Sequence, residues 1–188
     1  MSTLIEQFDH SLTEFGSRVA LVAPEHWGRP TPCPGWDVQG LVAHVIGQCR
    51  AAPYLLAGGS PTDVGDRITA DTSGAHLLAA WEAAAAAARQ AFAVDGALDH
   101  TVVVTSRPQS ARDYIWSLTV DLTVHAWDLA RGIESDERLE PELVRRIHAE
   151  MVKDVDALMA GGRFDPPVPV PAHADLQARM LGLVGRRV

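Results

Sequence analysis

What most constrains this chain is the spacing of its apolar residues. After Leu4 and Ile5, the residues Phe8, Leu12, Phe15, Val19 and Val22 follow at intervals of three and four, the repeat that lines one face of an α-helix. Such a stripe has to be covered by another element, and where the repeat returns along the chain the natural cover is a second helix. The pattern predicts a first helix over Thr3 to Val22. A second is expected from an N-cap at Asp37 through Leu41, Val42, Val45 and Ile46 to the region of Leu56, with a kink at Pro53. A third starts near Ser73 or Gly74 and contains the six-alanine run of "WEAAAAAARQAFA", which favours helix strongly and lets a neighbour approach closely. A fourth covers roughly Ser110 to Arg131 and ends at Gly132. A fifth opens on Pro141, tolerated in a first turn, and runs to Gly161.

The segments between are punctuated. "APEHWGRPTPCPGW" carries four prolines and two glycines, too many for a regular element, and reads as a long ordered loop anchored by Trp27 and Trp36. "GGSPTDVGDR" is turn and loop. Residues 95 to 109, with "HTVVVTS" inside, break the helical period and read as an extended piece or hairpin arm. The tail "FDPPVPVPAHADLQARMLGLVGRRV", within residues 163 to 188, reads as a proline-rich strap closing in one helical turn or two. No repeat or linker divides the chain, and 188 residues suit one core. The expectation is a single all-α domain over 1–188, a four-helix bundle with an additional C-terminal helix and an extended Pro-rich tail.

Composition then removes function classes. The formal net charge of -8, with dispersed arginines and Lys153 as the only lysine, argues against a nucleic-acid partner, whose backbone calls for clustered cations. No run of roughly 18 apolar residues offers a membrane span, and "MSTLIEQFDH" has acids where an export signal needs bases, so a cytoplasmic protein without membrane partner is expected. In that compartment Cys33 and Cys49 are expected as reduced thiols. There is no phosphate-cradling glycine loop, no G-x-S-x-G elbow and no paired-cysteine zinc motif. Nucleotide and hydride-transfer enzymes are disfavoured accordingly.

The chemistry-bearing stretch is "TVDLTVHAWDLARG", residues 119 to 132. Asp121 and His125 stand four apart and so point the same way one helical turn apart, with Asp128 near that line. One reading is a solvated helix face with a local hydrogen bond. The other is two ligands for a divalent ion that accepts imidazole nitrogen and carboxylate oxygen together. Helix two offers a third ligand in His44 of "LVAHVIG", where a lone histidine among apolar neighbours is either a core residue satisfied by one hydrogen bond or a ligand facing Asp121 and His125. Asp128 reads as a residue that orients a ligand or fixes Arg131. Trp127, beside His125, reads as a wall of the site. Cys33 reads as a small residue shaping the proline loop and Cys49 as core, neither a ligand. Among the remaining histidines His26 is the best outsider.

"TPCPGWDVQGLVAHVIGQ" and "LTVDLTVHAWDLARG" together resemble the signature of proteins related to the N-terminal domain of mycothiol-dependent maleylpyruvate isomerase, within the DinB-like metal-binding superfamily. The resemblance implies a DinB-like four-helix bundle, usually dimeric. It also implies a divalent ion on His44, Asp121 and His125, with Asp121 one methylene shorter than the isomerase's glutamate. Zinc is the first expectation for that ion, with nickel, manganese or iron as alternatives, and mycothiol is the implied thiol. The functional expectation is a metal-dependent thiol transferase or isomerase, a homodimer whose partners are a small electrophile and a low-molecular-weight thiol. The alternatives are a metal-dependent hydrolase and a non-catalytic metal- or ligand-binding stress-response protein.

Overall fold

The computed structural model describes residues 3–61, 74–104, 108–153, 155 and 164–188. Six α-helices and one hairpin stand among them. Packing divides the chain into two compact units, Met1–Asp136 and Glu137–Val188.

In the first unit, α1 (Leu4–Val19) opens with a capping box: Thr3 Oγ1 accepts from Glu6 N at 3.2 Å and Glu6 Oε2 accepts from Thr3 N at 2.6 Å. These bonds satisfy backbone donors that a helix start leaves unpaired. Phe8, Leu12, Phe15 and Val19 are buried as their spacing requires, and Val22 lies beyond the helix end. The second helix, α2 (Val38–Leu56), runs through Pro53 as one element and is capped by Asp37, whose Oδ1 accepts from Gly40 N at 2.7 Å. The third, α3 (Gly74–Phe92), turns Ala84, Ala85 and Ala88 of the alanine run inward. The fourth, α4 (Ala111–Gly132), is capped by Ser110.

The four helices form the bundle, α1 packing mainly on α4 and α2 mainly on α3. Aromatic contacts tie three of them: Phe8 meets Phe92 at 5.2 Å, and Phe92 meets Tyr114 at 5.7 Å. Such pairs add about 0.5–1.5 kcal/mol each beyond the area they bury. Between α3 and α4 the segment that breaks the helical period forms a hairpin, β1 (Thr101–Val103) antiparallel to β2 (Pro108–Ser110), with Thr101 opposite Ser110.

Two boundaries differ from expectation, and each has a physical cause. Gly132 is the last helical residue of α4 and not a left-handed cap; the positive φ falls two residues later, at Glu134 (56°). What Gly132 provides is proximity, because a Cβ there would stand 3.1 Å from Val38 Cγ2 and 3.3 Å from Thr31 Cγ2. The glycine thus seats the proline loop and the start of α2 against α4. The fifth helix, α5 (Pro141–Met151), is capped by Val152 instead of reaching Gly161; residues 154 and 156–163 lie outside the described residues.

In the second unit, α5 buries Leu143, Val144, Ile147 and Met151. The proline-rich stretch 165–171 has no regular secondary structure, and α6 (Leu176–Leu183) gives the tail its two helical turns, with Asp175 as N-cap. Gln177 fastens this unit internally, accepting from Leu139 N and donating to the Glu137 carbonyl, both at 2.9 Å.

Candidate metal centre

The site begins with the proline loop. In "CPGW" the Trp36 N–H donates to the Cys33 carbonyl at 3.1 Å, and Gly35 takes a φ of 81°. Proline followed by a glycine of positive φ is the signature of a type II turn. Thr31 closes the loop behind it: its N–H and hydroxyl both donate to the Trp36 carbonyl, at 3.1 and 2.9 Å. Gly35→Ala is expected to lower stability by about 1–3 kcal/mol through backbone strain, since a Cβ there meets nothing within 4 Å. A thermal melt checks this: an unchanged midpoint would mean that the turn yields without cost.

The turn places Cys33 and Trp36 over α2 and α4. The Trp36 ring lies 4.4 Å from that of His44 and 6.0 Å from that of His125, centroid to centroid. The His44 and His125 rings stand 5.5 Å apart and nearly perpendicular. Residues 118 to 130 of α4 are buried throughout, so the solvated-face reading of Asp121 and His125 fails. Asp121 is 3% exposed, His125 5% and Asp128 0%.

Asp121 Oδ2 lies 3.5 Å from His125 Nε2 and 3.7 Å from His44 Nε2. Both separations are long for a hydrogen bond, and this oxygen is buried with no hydrogen-bond partner among the described residues. A buried carboxylate oxygen so placed carries a large desolvation cost. A divalent ion removes it, because bonds of about 2.0–2.2 Å at tetrahedral angles set ligand atoms about 3.3–3.5 Å apart. The three ligand atoms lie within 4.8 Å of one another. The donor set and its spacing therefore fit a zinc-like ion.

Behind His125 stands Asp128. Its Oδ2 accepts from His125 Nδ1 at 3.0 Å and from the Cys33 thiol at 3.1 Å, and Cys33 Sγ is 3.7 Å from His125 Nδ1. A carboxylate on the far nitrogen fixes ring orientation and tautomer, the usual support of a ligating histidine. Charge follows geometry. Burial works to lower the His125 pKa, yet Asp121 first, then Asp128 and the Cys33 contact, outweigh it and raise it to about 10. Burial likewise works to raise Asp121, but the positive field of His125, followed by His44 and the amide of Gln48, holds the carboxyl down at about 2. Cys49, free and buried, is pushed up to about 12 by burial and then by Asp121, as befits an inert core thiol.

The structure thus brings together His44, Asp121 and His125 and sets Asp128 behind them. It also adds residues the sequence reading left aside. Cys33, read as a loop-shaping residue, touches both Asp128 and His125. Trp36 packs its ring on both histidines. Trp127 is fully buried, with the Arg131 guanidinium 4.9 Å from its ring centroid. His26 closes its own turn by accepting from Ala23 N at 3.1 Å. An open pocket of about 300 Å³ lies in the 28–37 loop, lined by Gly28, Pro30, Cys33, Trp36 and Asp37 among others and by none of His44, Asp121 and His125.

Residues 8–130 match the family described as the mycothiol maleylpyruvate isomerase N-terminal domain. The chain belongs to that family. Two similar relatives are uncharacterized proteins of Mycobacterium tuberculosis, from strains CDC 1551 / Oshkosh and ATCC 25618 / H37Rv. Each is 30% identical over 176 residues, which are 93% of this chain and 92% of the relative. Among solved structures, the mycothiol-dependent maleylpyruvate isomerase and a histidine-to-alanine mutant of it superpose with a TM-score of 0.64 at 19% identity, over 80% of this chain and 72% of theirs. At that identity the likeness establishes the DinB-like helical fold. The family match ends at Ala130, so it takes in every side chain of the centre, from Cys33 to Asp128. No helix among the described residues is long and apolar enough to cross a membrane.

Proposed function

We propose that this member of the mycothiol maleylpyruvate isomerase N-terminal domain family is a divalent-metal-dependent enzyme that joins a small thiol to a small electrophile, in an isomerisation or a thiol transfer. The observation that carries the reading is Asp121 Oδ2, a buried oxygen without a hydrogen bond among the described residues, between two imidazole nitrogens at 3.5 and 3.7 Å. His44, Asp121 and His125 would hold the ion, with zinc the best match to two nitrogens and one carboxylate. When bound, such an ion supplies a Lewis acid that favours the thiolate form of a thiol and polarises a carbonyl. The family description and the name of the similar solved structure support mycothiol as that thiol.

The chain's own residues do the rest. Asp121, Asp128 and a protonated His125 together carry one negative charge inside the bundle. Exchange of the His125 Nε2 proton for a divalent ion brings that sum to zero, while the Nδ1 proton stays on Asp128 and keeps the ring aimed. Trp36 covers the His44 and His125 rings on one side. The pocket in the 28–37 loop, which shares Cys33 and Trp36 with the centre, is the proposed entry for the reactants.

The test is thiol addition to a small electrophile by zinc-loaded protein, followed alongside metal affinity in Asp128→Asn. The carboxamide of that variant keeps an acceptor for Nδ1–H but loses the charge, so affinity is expected to fall on the order of 10- to 100-fold and the thiol reaction with it. Zinc-loaded wild type that accelerates no thiol addition across a panel of electrophiles would contradict the enzymatic reading.

A further inference from the structure

Beside His44, Asp121 and His125 stands a neighbour whose residue type does not advertise a role. Gln48 lies one turn beyond His44 on α2, the same offset that relates Asp121 to His125 on α4. Each helix therefore presents two polar side chains to one point. Gln48 Nε2 lies 2.8 Å from His44 Nε2, so the amide donates to the ring nitrogen and occupies the lone pair a cation would need. The other end of the same carboxamide, Oε1, is buried with no hydrogen-bond partner among the described residues, like Asp121 Oδ2. Two buried acceptors with nothing to accept, on two side chains that both reach toward His44 Nε2, are a costly arrangement in a protein interior.

We propose that Gln48 is a fourth protein ligand of the divalent ion, through Oε1, and that in the metal-free protein its amide is the cap that holds His44 in position. Turning the carboxamide over about its terminal bond exchanges the two ends and puts the oxygen where the nitrogen stands. That place, 2.8 Å from His44 Nε2, is shorter than the about 3.3–3.5 Å between two donors on one ion, so the turned side chain would sit back by roughly half an ångström. A cation on His44 Nε2 removes the acceptor the amide N–H relied on and at once gives Oε1 the partner it lacks. Only the turned amide satisfies the loaded site. The resulting set is two imidazole nitrogens, a carboxylate oxygen and an amide oxygen. The amide is the weakest donor of the four and is the one that yields to an entering thiol.

This inference rests on the His44, Asp121 and His125 reading, and cobalt(II) separates the two. Chelator-treated wild type, Gln48→Ala, Gln48→Glu and His44→Ala are titrated with cobalt(II), recording affinity and the visible absorption that reports its ligands. Gln48→Ala is expected to weaken binding on the order of tenfold and to shift the band. Gln48→Glu, which restores an oxygen, is expected to return a wild-type-like band with tighter binding. Gln48 is only partly buried, and a thermal melt of each variant confirms that the fold is retained. Unchanged affinity and spectrum in Gln48→Ala, beside lost binding in His44→Ala, would overturn the Gln48 assignment alone. So would weakened binding with an unshifted band, which would leave Gln48 only positioning His44. Wild type that takes up no cobalt(II), or His44→Ala that binds like wild type, would overturn both.

Discussion

His125→Ala is expected to abolish stoichiometric uptake of a divalent ion and to destabilise the fold in the same stroke. The ring serves two carboxylates, Asp121 through Nε2 at 3.5 Å and Asp128 through Nδ1 at 3.0 Å, and all three residues are buried. Removing the cation of a buried ion pair leaves charge uncompensated and costs about 3–5 kcal/mol. Losing an imidazole ligand, a stronger donor than the Gln48 amide, should weaken metal binding by more than the roughly 100-fold that mere support residues reach. His44→Ala separates the two effects, because its side chain is 33% exposed and its removal strands less buried charge. Metal titration with thermal melts reads both. His125→Ala that melts like wild type and still binds one ion per chain would rule out its central place.

The second large effect is in pH. The His125 pKa is raised above its ordinary value near 6.5 to about 10. Its contribution to metal-free stability is therefore complete below about 6.5 and is lost as pH rises through 10. Asp121 runs the other way: its pKa is lowered from 3.8 to about 2, so its contribution is complete above 3.8 and is lost as pH falls through 2. Between those limits the pair holds the metal-free bundle at full strength. Metal uptake opposes the first term, since the ion displaces the Nε2 proton. Affinity is expected to rise about tenfold per pH unit between 6.5 and 10, one proton leaving per ion bound. Calorimetric titration in buffers of different ionisation enthalpy counts that proton. Affinity that is flat across the range, with no proton released, would refute the exchange.

The helices were legible because burial imposes a period, and the i, i+4 pair of Asp121 and His125 was legible because helix geometry converts spacing into direction. His44 was legible for the same reason, as a polar residue within an apolar stripe. Cys33 and Trp36 were not, because their place depends on a loop closing over α4 more than 80 residues downstream. "CPGW" announces a tight turn but not the surface it turns toward. Gly132 suggested a helix stop by residue type, whereas the small size that seats Thr31 and Val38 against α4 is a tertiary demand. Trp127 and Trp36 each lie close to a ligand or its helix start, and only the fold decides which ring faces the site.

The most direct test of the metal centre is the metal content of untagged protein, by elemental analysis before and after chelator treatment and again after adding metal back. About one zinc or similar divalent ion per chain is expected, removed by chelator and restored on addition. No ion in the purified protein and none taken up on addition would contradict the proposed centre, leaving Asp121 paired only with imidazolium and the bundle as a binding protein.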